Sequence, residues 1–312
     1  MARYILQRFL SMLVTLWLIV TATFFLMHAV PGSPFDKEGK NMNPNVLENM
    51  MARYNLDQPL PLQYLSYLKS ILTLDFGPSI SHYPDSVASM IERGFPVSLK
   101  LGIVAILFAV LSGVAIGTVA ALKQNSIIDY AAMILAVIGI AVPNFVFATL
   151  LIKYFAVEWK LLPVATWGTW KHMVLPVAAL SAGPIAIIAR LTRANMIEVL
   201  TEDYIETAES KGIPPWRVIL KHALRNAVLP VITLLGTLVA NVLTGSFVIE
   251  KIFAIPGMGK YFVDSINNRD YSVIMGTTVF YSALLIFMMF LVDIAYGLID
   301  PRIKLHRKEG EA

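Results

Sequence analysis

Residues 96–122 read PVSLKLGIVAILFAVLSGVAIGTVAAL, and Lys100 is the only charge among them. A helix needs roughly 20 apolar residues to cross a bilayer core about 30 Å thick. This stretch is long enough. Five more runs have the same character: 9–30, 130–152, 174–191, 227–249 and 273–299. The first carries no charge and has His28 near its end. The third and fifth are free of charge, and the sixth holds one acid, Asp293. The fourth is the shortest and is closed by Arg190 and Arg193.

The composition of the whole chain agrees with these runs. Of its 312 residues, 57% are hydrophobic and only 15% are charged, where a soluble domain carries nearer a quarter. Much of the surface must therefore face lipid. The expectation is an all-α integral membrane protein with about six transmembrane helices, forming one domain over 1–312. There is no cysteine, which excludes disulfides, thiolate catalysis and cysteine-bound metal. The formal charge of +4 speaks to orientation in the membrane and is a poor argument for nucleic-acid binding.

The first run could be a secretory signal with Arg3 and Arg8 as its basic start. A signal core is about 7–15 residues, however, and this run is longer. Pro31, Gly32, Ser33 and Pro34 also make a poor cleavage site. A retained first helix is expected. With the N-terminus inside, Lys and Arg are about twice as dense in the inside segments as in the outside ones, the asymmetry that orients membrane proteins. Both termini are then cytoplasmic. Residues 31–95 form an extracytoplasmic insertion. It reads as partly helical, because Leu62, Leu65, Leu68 and Leu72 recur at helical spacing behind Pro59 and Pro61.

The most polar stretch, 192–226, is a cytoplasmic loop in this topology. Asp203-Tyr204-Ile205-Glu206 reads as a capping box, with Asp203 accepting from the first turn and Glu206 reaching back. The helix runs about eight residues and stops at Gly212, a natural position for positive φ. Pro214 and Pro215 then open a second helix carrying Trp216, Lys221, His222 and Arg225. Tyr204 and Ala208 share one face of the first helix, with Glu206 roughly 200° away from Tyr204. Two short helices with little core of their own need another surface. The residues leave two surfaces open, the membrane headgroups or a partner protein. In the second case Ala208, being small, would face the partner.

Other features point nowhere sharper. Gly257-Met258-Gly259-Lys260 suggests a phosphate loop, but that pattern needs glycine at Ala254 and Ser or Thr at Tyr261. Gly113 and Gly117 permit close helix packing or are ordinary small residues. Trp159, Trp167 and Trp170 read as an interfacial belt. The histidines show no metal-site spacing, and no catalytic constellation stands out. No cofactor is expected. Asp293 is an intramembrane acid, a functional candidate by default, read here as capping or pairing near the interface.

Glu206-Thr207-Ala208, three residues and then Gly212 resemble the E-A-A-x-x-x-G coupling loop of ABC importer permeases. The general pattern continues with I-x-L-P, and here His222-Ala223-Leu224-Arg225 and Leu229-Pro230 stand instead. That departure resembles the form of the dipeptide, oligopeptide and nickel permease family. Similar motifs follow in order along the chain. They are Pro31-Gly32-x-Pro34, Asn55-Leu56-Asp57-Gln58-Pro59-Leu60, Gln63-Tyr64-Leu65, Asp75-Phe76-Gly77, Gly245 to Glu250, Ile255 to Gly259, Asn268-Arg269-Asp270-Tyr271 and Asp300-Pro301-Arg302. Within that family the likeness is nearest to the B-type permease subunits of oligopeptide importers.

The resemblance implies the fold of a type I importer permease and transport of peptides by alternating access. It implies a second permease subunit, two ATP-binding subunits that carry the hydrolysis, and an extracytoplasmic substrate-binding protein. Asp203, Tyr204, Glu206, Ala208, Gly212 and His222 then belong to the loop that meets the ATPase. Alternatives are a permease of the same family for dipeptides, nickel or another small solute, and an ion-coupled secondary transporter. The last would show inverted repeats and broken helices in matching halves, which the sequence does not clearly show.

Overall fold

The computed structural model describes residues 2–29, 35, 43–82 and 84–299. The motif at Pro31 to Pro34 and the one at Asp300 to Arg302 lie outside the described residues. Among those described, all named elements are helices. Four are long and apolar enough to cross a membrane, and the number rises to six if each of two bent pairs is one span. The chain divides into two compact units, residues 1–98 with 256–312, and residues 99–255.

The first unit starts with α1 (Ala2–Ala29), which begins earlier than its apolar run because Arg3 and Arg8 do not interrupt helical geometry. Short helices α2 (Pro44–Arg53) and α3 (Leu60–Thr73) follow. Asn43 caps α2 by accepting from the Asn45 amide at 3.1 Å. Pro59 opens α3, and Leu74 ends it in the left-handed region. The α3 helix lies on α1. The Tyr64 hydroxyl and Thr21 Oγ1 are 2.7 Å apart, and His28 Nε2 and Gln63 Oε1 are 2.9 Å apart. The Tyr67 ring stacks on Phe24, and burial raises the Tyr67 phenol above its ordinary pKa. The buried face of α3 is thus Tyr64, Tyr67, Leu68 and Ile71. The leucine stripe that marked the helix in the sequence is mostly on the other side, with Leu62, Leu65 and Leu72 exposed.

The helix α4 runs Val87–Leu122 and contains Pro96. The apolar run placed its start at Pro96, which is a correction of nine residues. The first unit ends inside this helix, at Ser98. At 1.5 Å per residue α4 is about 54 Å long, well beyond a bilayer core of about 30 Å. Its first turns can therefore be polar. Proline lacks an N–H, so the bond from residue 96 to the Glu92 carbonyl is missing. At the same level a Cβ on Gly94 would lie 3.0 Å from the Met258 nitrogen, and Met258 N–H donates to Ser98 Oγ at 2.9 Å. The same unit holds α11 (Met258–Asn268) and α12 (Tyr271–Ile299). Val279 of α12 packs with Val20 and Phe24 of α1.

The junction of α11 and α12 buries Asp270 completely. Its carboxylate accepts from Ser79 Oγ at 2.5 Å, Ser81 N–H at 3.0 Å, Ser81 Oγ at 2.9 Å and Val273 N–H at 3.2 Å. This pins residues 79–82 to the start of α12.

The second unit holds the rest of α4, then α5 (Ile127–Ala141), α6 (Asn144–Glu158), α7 (Trp170–Leu200), α8 (Asp203–Ser210), α9 (Pro215–Ala227) and α10 (Leu229–Ile252). The third apolar run is not one straight span. α5 and α6 meet at 108°. Pro143 supplies no N–H and drives Val142 into extended backbone, φ −83° and ψ 121°, where a helix cannot continue. A second bend of 52° separates α9 from α10, with Pro230 in the first turn of α10. α7 is the centre of the unit and packs on α5, α6 and α10. Gly113 and Gly117 do serve close packing. A Cβ on Gly113 would lie 2.8 Å from Ile188, and one on Gly117 would lie 2.7 Å from Thr192 Cβ.

Candidate coupling loop

α7 continues to Leu200, nine residues past its apolar run. The chain then turns through Thr201 and Glu202 into α8. Glu202, not Asp203, is the N-cap, and no side chain caps this end. The capping box expected from Asp203 and Glu206 is absent. With the helix starting one residue early, Asp203 is the first helical residue and Glu206 sits past the reach of a box. Both acids still lie in the first turn, where they favour the positive end of the helix dipole.

The other end of α8 follows the sequence closely. Gly212 has φ +74°. Its N–H donates to the Glu209 carbonyl at 2.8 Å, and Ile213 N–H donates to the Ala208 carbonyl at 3.3 Å. These are the two bonds of a Schellman cap. A Cβ on Gly212 would meet nothing within 4 Å, so the glycine is required by backbone conformation and not by crowding. Pro214 and Pro215 then open α9, which widens into a π-helical stretch at Val218–Ala223.

The loop is not without a core. Ile205 and Ala208 of α8 are buried with Val218, Ala223 and Ala227 of α9, Met196 of α7 and Ala121 of α4. Asn226 donates to the Tyr204 hydroxyl at 2.7 Å. The expected orientation of Ala208 is therefore reversed. It is packed by residues of α9 and α7 within the chain. The outward surface consists of Tyr204, Glu206, Thr207, Glu209 and Ser210 on α8, with Trp216 and Leu220 on α9 at 59% and 58% exposure. Arg217 lies over the Trp216 ring, 5.0 Å from its centroid. His222 sits half-buried in the π-helical stretch.

One ion pair braces the helices above the loop. Arg193 of α7 grips Asp129 of α5 with both ends of its fork, Nε to Oδ1 at 2.5 Å and Nη2 to Oδ2 at 2.6 Å. Asn125 N–H adds a bond to Oδ2 at 2.9 Å. The Asp129 side chain is 1% exposed and that of Arg193 is 25% exposed. A buried carboxylate needs such pairing. The sequence reading noted Arg193 but missed Asp129. A signal was available, because Ser126 with Asp129 three residues later marks a helix start, and Ser126 Oγ does cap it. Asp293 falls on α12, but its side chain lies outside the described residues. No group of three or more metal-ligating side chains occurs among the described residues.

Several membrane-length helices, close small-residue packing and a polar, self-supported loop at their ends define a multi-span helical membrane protein. The chain belongs to the family described as binding-protein-dependent transport system inner membrane component. The model of that family matches residues 113–305, and the model for its N-terminal region matches residues 1–101. The chain is 65% identical to the dipeptide transport system permease protein DppB of Bacillus subtilis, over 99% of this chain and 100% of that one. It is 47% identical to the oligopeptide transport system permease protein OppB of Haemophilus influenzae, over 97% of this chain and all of that one. Among solved structures it resembles the MetNI methionine ABC transporter in an inward-facing conformation, with TM-score 0.57. That match covers 68% of this chain and 96% of the other at 16% identity, so it speaks to the fold alone.

Proposed function

We propose that the chain is the transmembrane permease subunit of an ATP-driven peptide importer. The observation that carries this is identity held over nearly the whole length to permeases named for dipeptides and oligopeptides. In this reading a second permease subunit lies beside it, and two ATP-binding subunits lie on the cytoplasmic side and hydrolyse the nucleotide. A binding protein delivers cargo from outside. Both termini and the loop at 203–227 are cytoplasmic, and residues 31–95 are extracytoplasmic. Transport proceeds by alternating access, which requires that ATP favour one state of the bundle through differential contacts.

The outward surface of α8 and α9 is where those contacts act on this chain. Gly212 holds the turn, Ala208 ties α8 to the chain's own core, and Tyr204, Glu206 and Trp216 face the ATPase. Asp293 acts structurally near the cytoplasmic end of α12. The sequence motifs favour oligopeptides as cargo, and the 65% relative favours dipeptides as the second reading.

The test is uptake of labelled dialanine and tetra-alanine by cells lacking their own peptide importers and supplied with this complex. ATP depletion should stop uptake, and a protonophore at maintained ATP should not. Uptake that follows the proton gradient instead would sink the ATP-driven reading. The preferred chain length decides the cargo. Reporter fusions at Lys40 and Lys308 should report opposite sides of the membrane, and a common side would overturn the topology.

A further inference from the structure

In the unit of residues 99–255 a half-open groove of about 510 Å³ runs between α4 and α7. Lys100, Val104 and Phe108 form one wall, spaced four apart on α4 and so on one face. Trp170, Val174 and Ala178 form the other wall with the same spacing on α7. The two helices run parallel, since Gly113 meets Ile185 and Ile188 while Gly117 meets Ala189 and Thr192. Lys100 and Trp170 therefore share the mouth of the groove, and Phe108 and Ala178 lie deeper. The groove faces away from the bundle core, because Leu101, Ala105 and Ala109 on the neighbouring face of α4 are fully buried.

The mouth is chemically distinct from the rest. Lys100 Nζ stands 5.9 Å from the Trp167 ring centroid, within cation–π range. No carboxylate pairs with it among the described residues. Trp170 is 70% exposed, as ring systems are at headgroup level, and a lysine near a span end lays its stem on apolar surface with its charge toward the headgroups. Beyond the mouth, the walls are apolar.

We propose that this groove binds one anionic phospholipid, with its phosphate at Lys100 beside Trp167 and an acyl chain along Val104, Phe108, Val174 and Ala178. A cation at one end of an apolar channel matches a ligand that is anionic at one end and hydrocarbon along the rest. An apolar helix of a second subunit would fill the channel but leave Lys100 without a counter-ion.

The test is native mass spectrometry of the full-length protein in detergent, titrated with phosphatidylglycerol and phosphatidylcholine of identical acyl chains. One phosphatidylglycerol should be retained about fivefold more strongly than phosphatidylcholine, the effect of one lysine near an anionic headgroup. Lys100→Gln should remove the preference, and Lys100→Arg should keep it. Ala178→Trp fills the channel with Lys100 in place and should lose both lipids. Lys123→Gln, at the other end of α4, should leave the preference intact. Equal retention of the two lipids by the unaltered protein overturns the proposal. So does a preference that survives both Lys100→Gln and Ala178→Trp, or crosslinking of Phe108→Cys to a second permease subunit in place of lipid.

Discussion

Asp129 and Asp270 are both buried acids, one in each unit, and they are held in opposite ways. Asp129 takes a bidentate guanidinium from Arg193. Asp270 takes two hydroxyls and two backbone amides, and every one of those donors is neutral. The difference follows from what surrounds each. Asp129 faces the middle of a second helix, where backbone N–H groups are spent on the helical ladder. From that helix only a side chain can answer it, and the one backbone amide it takes, Asn125 N–H, comes from the turn before its own helix. Asp270 lies at a helix junction against the turn at 79–82, where amides and hydroxyls are still free to donate. Helix-to-helix contacts thus call for charge, and a loop can hold an acid without it.

The largest effect should come from breaking the charged case. Arg193→Ala leaves a carboxylate at 1% exposure without its cation, at a cost of about 3 kcal/mol. Thermal melting in detergent should show it. Joint replacement by Asp129→Asn and Arg193→Gln should recover most of the loss, because no uncompensated charge remains. A double variant as unstable as Arg193→Ala would show that packing, and not charge, holds this contact.

The neutral case should cost less. Asp270→Ala strands the buried Ser79 hydroxyl and the Ser81 amide, for about 2 kcal/mol. Proteolysis at 79–82 should rise by about thirtyfold if that energy is local. Asp270→Asn keeps one accepting oxygen and should fall between. If Asn were as damaging as Ala, the negative charge of Asp270 would matter more than its hydrogen-bond count.

The same contrast between backbone and side chain runs through α8. Its C-terminus is closed by backbone bonds at Gly212, so Gly212→Val forces a branched residue to φ +74° at about 1–2 kcal/mol. Transport should fall while membrane insertion stays normal, and Gly212→Asn should be tolerated. Uptake unchanged by Val at normal expression would argue against a tight turn. The N-terminus has no side-chain cap. Glu206→Gln should therefore shift the melting temperature by no more than an exposed surface change, about 0.5 kcal/mol at most. A larger loss would mean that Glu206 binds a partner as the charged form.

Much of this arrangement is legible in the chain itself. The apolar runs located the spans, and Gly212 followed by two prolines located the turn between α8 and α9. These are local signals, set by one residue's backbone preference or by a length of apolar chain. The errors have local causes too. The apolar run starts at Pro96, yet α4 begins at Val87 and passes through the proline. Pro143 lies inside an uncharged run, yet its effect on Val142 breaks the span.

Other features carry no local signal in the chain. Helical spacing puts Tyr204 and Ala208 on one side of α8 but does not say which side turns inward. That was decided by Met196, Val218, Ala223 and Ala227 closing over Ala208. Leu62, Leu65 and Leu72 mark a helix, yet the tyrosines beside them are what α1 buries. Asp129 and Arg193 are 64 positions apart and meet only because α5 and α7 pack side by side at matching heights. Periodicity fixes a face relative to its own helix axis. The neighbour that covers the face depends on how distant segments stack, and that sum of contacts exists only in the folded chain.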